Sequence, residues 1–462
     1  LHELVARELI SRDDDRITFG NHLTWEVAYQ SVAPRRLREF HRRVGEALEK
    51  LYEGDLARHA EELFHHFEAG GAHVKAAHYA SLAGERYQRE DFTAKAVDFY
   101  LKALELLRFC AGETEEEEGI LFTMAQLCLK AGALQWVIGD RAAAEATLER
   151  GLDLTGELED DELEARLLLE LGQLRADKGD RFLAQSYLEH ALELSEMLSS
   201  ADLNCSVLEA LGLFYLEGGE REAAGAVFDS GLQLANRVDH PMALARLLLG
   251  KGTYLFHQGE YDAALERFNR ALSLVEHSED RILCGRVLNS IGNTFNFMGR
   301  FEDAMEAYRR SGEIYKAVGF MRGAITNYHN IGDLYFRQQR LAKAYAYFLE
   351  SRNMAREYRW NRGEASNLVY VGFIEAMKGD PETGLRTLHE GISLATQGGH
   401  PEFVATGHWL EGLYYATRQP AMARKVLQTA LDQARAIGQR KLEEEISAAL
   451  NNLTPGRGPQ LR

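Results

Sequence analysis

A chain of 462 residues with 45% hydrophobic and 27% charged side chains has the make-up of a folded soluble protein, with disorder expected only at its ends. Its net charge of −18 weighs against non-specific attraction to nucleic-acid phosphates or anionic lipid, since both depend on clustered Lys and Arg. Cys110, Cys128, Cys205 and Cys284 are widely spaced and form no CxxC pair, which predicts reduced thiols in a cytoplasmic setting and neither metal site nor cofactor.

The opening LHELVARELI has no charged n-region, apolar h-region or cleavage site, so it is not a signal peptide. No later run approaches the apolar length that crosses a bilayer. A start without Met, in mid-helix pattern, is expected of a piece cut from a longer protein. Leu1, Leu4, Val5 and Leu9 predict a first helix, Ser11 to Asp15 a break, and Arg16 to Phe19 a short β segment. A helix resumes at His22, and Pro34 punctuates it. The next helix puts Leu37, Phe40, Val44, Ala47, Leu48 and Leu51 on one apolar stripe, with Arg35, Arg36, Arg38, Arg42 and Arg43 largely opposite.

Residues Phe19 to Glu49 and Leu56 to Tyr87 carry a recognisable phrase, with Phe19, His22, Tyr29, Arg38, His41, His59, His65, Ala69 and Gly70 in place. It resembles the segment that joins the winged-helix end of bacterial STAND-type signal-transduction ATPases to a C-terminal tetratricopeptide sensor. The resemblance spans about 85 residues, and it implies that residues 1–53 are a winged-helix-like remnant and an ATPase domain lies elsewhere in the same polypeptide. No phosphate loop occurs in this chain; Gly250, Lys251, Gly252 and Thr253 come closest, inside a repeat helix and without the upstream glycine. His59, His65 and His66 could be metal ligands, but no acidic or cysteine ligand shares their register, which favours a structural role at the junction. Two readings of the arginine patch stand, contact with DNA and contact with the absent ATPase core; the acidic balance elsewhere weighs against DNA.

Beyond His73 the chain is periodic. A first unit carries Gly84, Ala96 and Ala103, followed by AGETEEEE, in which Thr114 and Glu117 predict a capping box on the next helix. Glycine then returns every forty residues, at Gly132, Gly172, Gly212, Gly252, Gly292, Gly332, Gly372 and Gly412. Twelve positions later stands a second small column, Ala144, Ala184, Ala224, Ala264, Ala304, Ala344 and Gly384, and seven after that a third, from Gly151 to Gly391. Between these two lies a large residue: Leu148, Leu188, Phe228, Phe268, Tyr308, Phe348 or Leu388. Gly139, Gly179, Gly219, Gly259, Gly299 and Gly379 predict left-handed helix ends between the paired helices. This is the tetratricopeptide pattern, although its usual period is about thirty-four residues. HEAT and armadillo repeats share the longer period without this helix-turn-helix signature.

The fold expected is all-α: a tetratricopeptide-repeat right-handed superhelix, or α-solenoid, over residues 54–437. About nine helix pairs fill it, a capping helix follows over 438–453 through Leu442, Ile446, Ala449, Leu450 and Leu453, and a disordered tail ends the chain at 454–462.

In such stacks the first helix of each pair lines the inner wall, at six and three positions before the glycine and one, four and five after it. These columns give Arg246, Phe256, His257, Arg286, Asn289, Asn293, Asn296, Phe297, His329, Asp333, Phe336 and Arg337 as a candidate binding surface, continued by Phe373, Met377 and Trp409. Three asparagines on one helix suit hydrogen bonding to an extended peptide, or are simply tolerated on a wet face. Asn289→Ala with Asn293→Ala is expected to abolish capture without lowering the melting temperature. No catalytic cluster stands out. The function this predicts is a non-catalytic sensor and scaffold module for a protein, peptide or small ligand, feeding an ATPase domain in the same polypeptide, with neither membrane nor nucleic acid as partner. A constitutive adaptor without an ATPase is the alternative.

Overall fold

A computed structural model describes residues 10–13, 16–90, 92–110, 117–238 and 240–453. The expected helix over 1–9, the capping residue Thr114 and the tail 454–462 lie outside them. Two compact units divide the chain, Leu1–Ile138 and Gly139–Arg462.

In the first unit, β1 (Ile10–Asp13) pairs antiparallel with β2 (Arg16–Phe19), Ile10 opposite Phe19 and Asp13 opposite Arg16. The expected break at Ser11 to Asp15 is thus partly strand, because a lone strand at 16–19 would leave its backbone groups unpaired. Helices α1 (His22–Gln30), α2 (Pro34–Leu51), α3 (Ala60–Ala69), α4 (His73–Arg89), α5 (Thr93–Arg108) and α6 (Glu117–Val137) follow. Asn21 caps α1, its Oδ1 accepting from the Thr24 amide at 2.8 Å. Each helix from α2 to α5 packs on the next.

The apolar stripe of α2 does not form its core face. Phe40 (48%), Val44 (41%) and Leu51 (70%) are exposed, whereas His41 and Gly45 are buried. The ring of Phe67 lies where a Cβ on Gly45 would come within 3.0 Å of it, so the smallest residue selects the packed face. By length and composition α6 could cross a bilayer, contrary to the sequence reading; it packs on α5 and buries Ile120, Met124, Ala125, Leu127, Cys128 and Ala131.

His41 is the centre of a polar and aromatic cluster between α1, α2 and α3. Its Nε2 shares a hydrogen bond with the Tyr29 hydroxyl (2.8 Å) and its Nδ1 one with His66 Nδ1 (3.0 Å), and His65 meets it edge-on at 5.8 Å. His59 instead stacks on Tyr52 at 3.5 Å, so the three histidines singled out by spacing do not converge. Burial, reinforced by His65, holds the His41 imidazole below its ordinary 6.5; burial, His41 and His65 do the same for His66 against an opposing Glu62. Between the folded values and 6.5 the unfolded chain therefore binds more protons, so this stabilisation is complete above 6.5 and shrinks as pH falls. Protection of the amides of residues 34–69, taken relative to their intrinsic exchange at each pH, is expected to be lower at about pH 5.5 than at about pH 7.5, an effect that His66→Asn reduces.

The second unit begins with α7 (Arg141–Leu158) and continues as helical hairpins. These are α8 (Asp161–Asp177) with α9 (Arg181–Met197), α10 (Ala201–Glu217) with α11 (Arg221–Arg237), α12 (Pro241–Gln258) with α13 (Tyr261–Val275), and α14 (Arg281–Phe297) with α15 (Phe301–Ala317). Then come α16 (Met321–Arg337) with α17 (Leu341–Glu357), α18 (Asn361–Lys378) with α19 (Pro381–Gln397), α20 (Pro401–Tyr415) with α21 (Pro420–Ala436), and the final α22 (Arg440–Asn451).

The forty-residue columns explain the packing. The large residue of each second helix seats on the glycine of its first: Leu188 on Gly172, Phe228 on Gly212, Phe268 on Gly252, Tyr308 on Gly292, Phe348 on Gly332. All five are fully buried, and a Cβ on any of these glycines would come within 2.4–2.8 Å of the opposing side chain. Where the third column holds serine, its hydroxyl donates to the partner helix, Ser311 to the Gly285 carbonyl (2.9 Å) and Ser351 to that of Ile325 (2.8 Å).

The turns use left-handed residues within and between hairpins. Gly179, Gly219, Gly259, Gly299 and Gly379 have φ of 75–115°, but Arg359 adopts 54° without being glycine. A side chain there costs about 1–2 kcal/mol. Against the greater freedom glycine gives the unfolded chain, Arg359→Gly is expected to raise stability by about 0.5–1 kcal/mol in urea titration.

First helices α8, α10, α12, α14, α16, α18 and α20 touch in succession, and α22 joins the row after α20. Each second helix lies outside, bridging its own first helix and the next. The second unit folds as an all-α solenoid whose inner wall is the row of first helices.

Candidate ligand-binding site on the inner wall

The second unit winds tightly enough for residues several hairpins apart to meet across its inner wall. Arg337 on α16 pairs with Asp333 (2.8 Å) on its own helix and with Glu445 (2.9 Å) on α22. Arg221 at the start of α11 donates to the Gly438 carbonyl at 2.5 Å. Arg141 also pairs with Asp177 (2.7 Å) and Arg362 with Glu402 (3.2 Å). Glu217 lies among these charges; enclosure by protein raises its carboxyl above the ordinary range in spite of Arg362. The final helix, α22, packs on α21 and α20 and also reaches the inner wall.

Beneath α22 lies a cavity of about 480 Å³. Phe256, Tyr261, Phe297, Tyr370 and Trp409 form its aromatic lining, with Arg337 and His257 on the inner wall and Leu442, Glu444 and Glu445 from α22. The Phe256 and Phe297 rings meet edge to face at 5.1 Å, and the Arg337 guanidinium lies 4.5 Å from the Phe297 centroid. Burial alone would push the Arg337 guanidinium down, but Asp333 and Glu445 overcome it and hold the charge firmly. Burial, with Arg221 nearby, lowers the His257 imidazole and favours its neutral form. Trp409 is buried and its indole N–H has no partner among the described residues. A space of this size, in which aromatic rings stand among charged and amide groups such as Arg337, Gln258, Lys441 and Glu444, has the form of a small-ligand or side-chain pocket.

The sequence-predicted residues divide sharply. Phe256, His257, Phe297, Arg337 and Trp409 line the cavity. The asparagines do not form a uniform exposed ladder: Asn289 and Asn293 are half-buried with their side-chain oxygens already bonded, and Asn296 is buried. Asn289 accepts from Asn330 (3.1 Å), Asn293 accepts from the buried Tyr308 hydroxyl (2.7 Å), and Asn296 donates to Asp333 (3.0 Å). Asn293→Ala would strand that hydroxyl at a cost of about 1–3 kcal/mol, so the asparagine pair is expected to lower the melting temperature after all. Phe336, 2% exposed, and Phe373 are core residues, packed on Tyr370 and on each other. His329 is bonded to Asn367 (3.0 Å), and its imidazole is lowered by burial. Arg246 pairs with Glu209 (3.5 Å), while Arg286 and Met377 stay exposed. Tyr261, Tyr370, Thr406 and the α22 residues escaped the sequence reading. No column marks them, for they reach the cavity only through winding.

Comparison with known proteins fits this geometry. Residues 243–317 and 325–357 match models of the tetratricopeptide repeat, which places α12 to α15 and α16 to α17 in that class of hairpin. A search of curated protein sequences gives no match. Among solved structures the chain is similar to a Rap protein complexed with Competence and Sporulation Factor, at 12% identity and a TM-score of 0.53, over 82% of this chain and 98% of that one. It also aligns with a STAND protein with a tetratricopeptide repeat sensor from Pyrococcus horikoshii (15% identity, TM-score 0.45, 94% and 68% covered). A third match is the apo quorum sensor NprR from B. thuringiensis (14%, 0.43, 71% and 98%). The likeness to the Rap protein supports the solenoid fold.

Proposed function

We propose that this chain is a non-catalytic sensor and scaffold module that receives a peptide or protein segment on the inner wall of its second unit. The observation that carries the reading is the aromatic cavity, where Phe256, Phe297, Tyr370 and Trp409 offer apolar surface beside the charged Arg337. The Rap structure was solved with Competence and Sporulation Factor, and a peptide-like guest here is consistent with the shared fold. Binding shifts the populations of neighbouring hairpins, whose small interfaces allow a change of pitch. Occupancy is relayed to an ATPase domain of a larger bacterial signalling protein, as the resemblance of residues 19–87 implies.

Panning a displayed random-peptide library on the full chain tests the site. Binders are expected whose affinity falls about tenfold or more, equivalent to about 1.4 kcal/mol, in Phe256→Ala with Phe297→Ala. Binders indifferent to both rings would remove the inner wall as the site. Small-angle scattering with a saturating binder then reads the pitch, and an unchanged profile would count against the relay.

A further inference from the structure

The contact between α22 and the inner wall has the make-up of a recognition interface turned on its own chain. Glu445 sets a carboxylate on Arg337 at 2.9 Å, and three residues earlier Leu442 turns an apolar side chain into the cavity lined by Phe256, Phe297 and Trp409. The helix is fixed at its start by Arg221 on the Gly438 carbonyl and from its flank by Arg435 on Glu443 (2.8 Å). Ile446 and Ala449 pack it into the core beside α20 and α21, yet towards the inner wall it leaves about 480 Å³ unfilled, so on that side its seat is held by polar contacts and Leu442 and not by close packing.

We infer that α22 is a built-in pseudo-ligand. It occupies the guest's seat, and the guest is an amphipathic helical segment of acidic and apolar character, with a carboxylate one turn beyond a Leu-like side chain. This rests on the reading of the inner wall as the binding site. Arg337 selects the carboxylate, since Asp333 uses the Nε–H of its guanidinium and Glu445 accepts from Nη1. The five rings select the apolar residue. A guest gains access as α22 leaves, so the strength of the Arg337–Glu445 and Arg221–Gly438 contacts sets the threshold for capture.

The probe is a fluorescein-labelled peptide copying residues 438–453, titrated by anisotropy against the full chain. Wild type is expected to bind it weakly. Glu445→Gln is expected to speed amide exchange over residues 440–451 about tenfold and to tighten binding of the copy by a similar factor, because the seat is vacated more often; Arg221→Ala added to it is read by exchange alone, since it removes an anchor of the copy as well. A copy carrying Gln in place of its own Glu445 is expected to lose that gain, as is the original copy on a chain with Arg337→Met added. Faster exchange without tighter binding would overturn the proposal, as would a Gln copy that binds equally well. Unchanged exchange in the doubly substituted chain would overturn it too, since α22 would then not be held by these contacts. A chain that takes the copy once unlatched, but yields no library binder sensitive to Phe256 and Phe297, would remove the wider functional reading while leaving the latch in place.

Discussion

Gly384→Ala is expected to destabilise the hairpin of α18 and α19 by about 3 kcal/mol or more, at the upper end of overpacking effects. The second small column holds alanine in the seven preceding units and glycine only here. The reason is a close crossing of two backbones. A Cβ on Gly384 would stand 2.2 Å from the Ala376 amide nitrogen and 2.7 Å from the Gly372 carbonyl oxygen; one on Gly372 would stand 2.3 Å from the Leu388 nitrogen. Main chain cannot rotate out of the way, so the helices must separate and the packing of Leu388 and Ile374 with them. At Gly212 the obstacle is the Phe228 ring, 2.5 Å from the added carbon, which can tilt. Gly212→Ala is accordingly expected to cost less, about 1–2 kcal/mol. Solenoids need not unfold in one step, so amide exchange over residues 361–397 is the measurement, with urea titration beside it. A cost for Gly384→Ala below that of Gly212→Ala would contradict the close crossing.

Asn367→Ala is expected to cost about 3 kcal/mol through unsatisfied polar groups and a small void. Asn367 is completely buried on α18. Its Nδ2 donates to Ser351 Oγ on α17 (2.9 Å) and to the Gly363 carbonyl (2.7 Å), which leaves Oδ1 to accept from His329 Nδ1 on α16 (3.0 Å). Ser351 passes the chain on to the Ile325 carbonyl, so one amide ties three helices together. Removing it leaves a neutral imidazole N–H without an acceptor, beside the rings of Phe348 and Tyr370. A cycle with His329→Leu is expected to show coupling of about 1–2 kcal/mol, because the second substitution removes the group that the first strands. Additive losses would mean that the two residues act independently.

The architecture was legible because a solenoid writes its packing in local spacing. Gly332 and Phe348 are sixteen residues apart and meet in the structure, as do Gly212 and Phe228. Less of the site was legible. The position five after the glycine reaches the cavity in three successive units, at His257, Phe297 and Arg337. Four after it, Phe256 lines the space whereas Asn296 and Phe336 turn against the neighbouring helix. Helical periodicity assigns a face but not the few tens of degrees by which each helix rotates when its neighbour packs. The stripe of α2 failed for a related reason: its apolar residues are regularly spaced, but Gly45 gave Phe67 a closer fit on another face. Nothing in local pattern could have brought Glu445 to Arg337, a pair set by how far the whole row of hairpins turns.

Most stacked-repeat proteins can gain or lose a unit with little harm, since every unit meets only its neighbours. Here Arg221 holds the Gly438 carbonyl across 217 residues and Arg337 holds Glu445 across 108. One more hairpin between those points, or one fewer, would carry α22 around the axis and away from both anchors. The number of units in this stretch is thereby counted by the molecule itself, and an otherwise extensible architecture becomes one of fixed length.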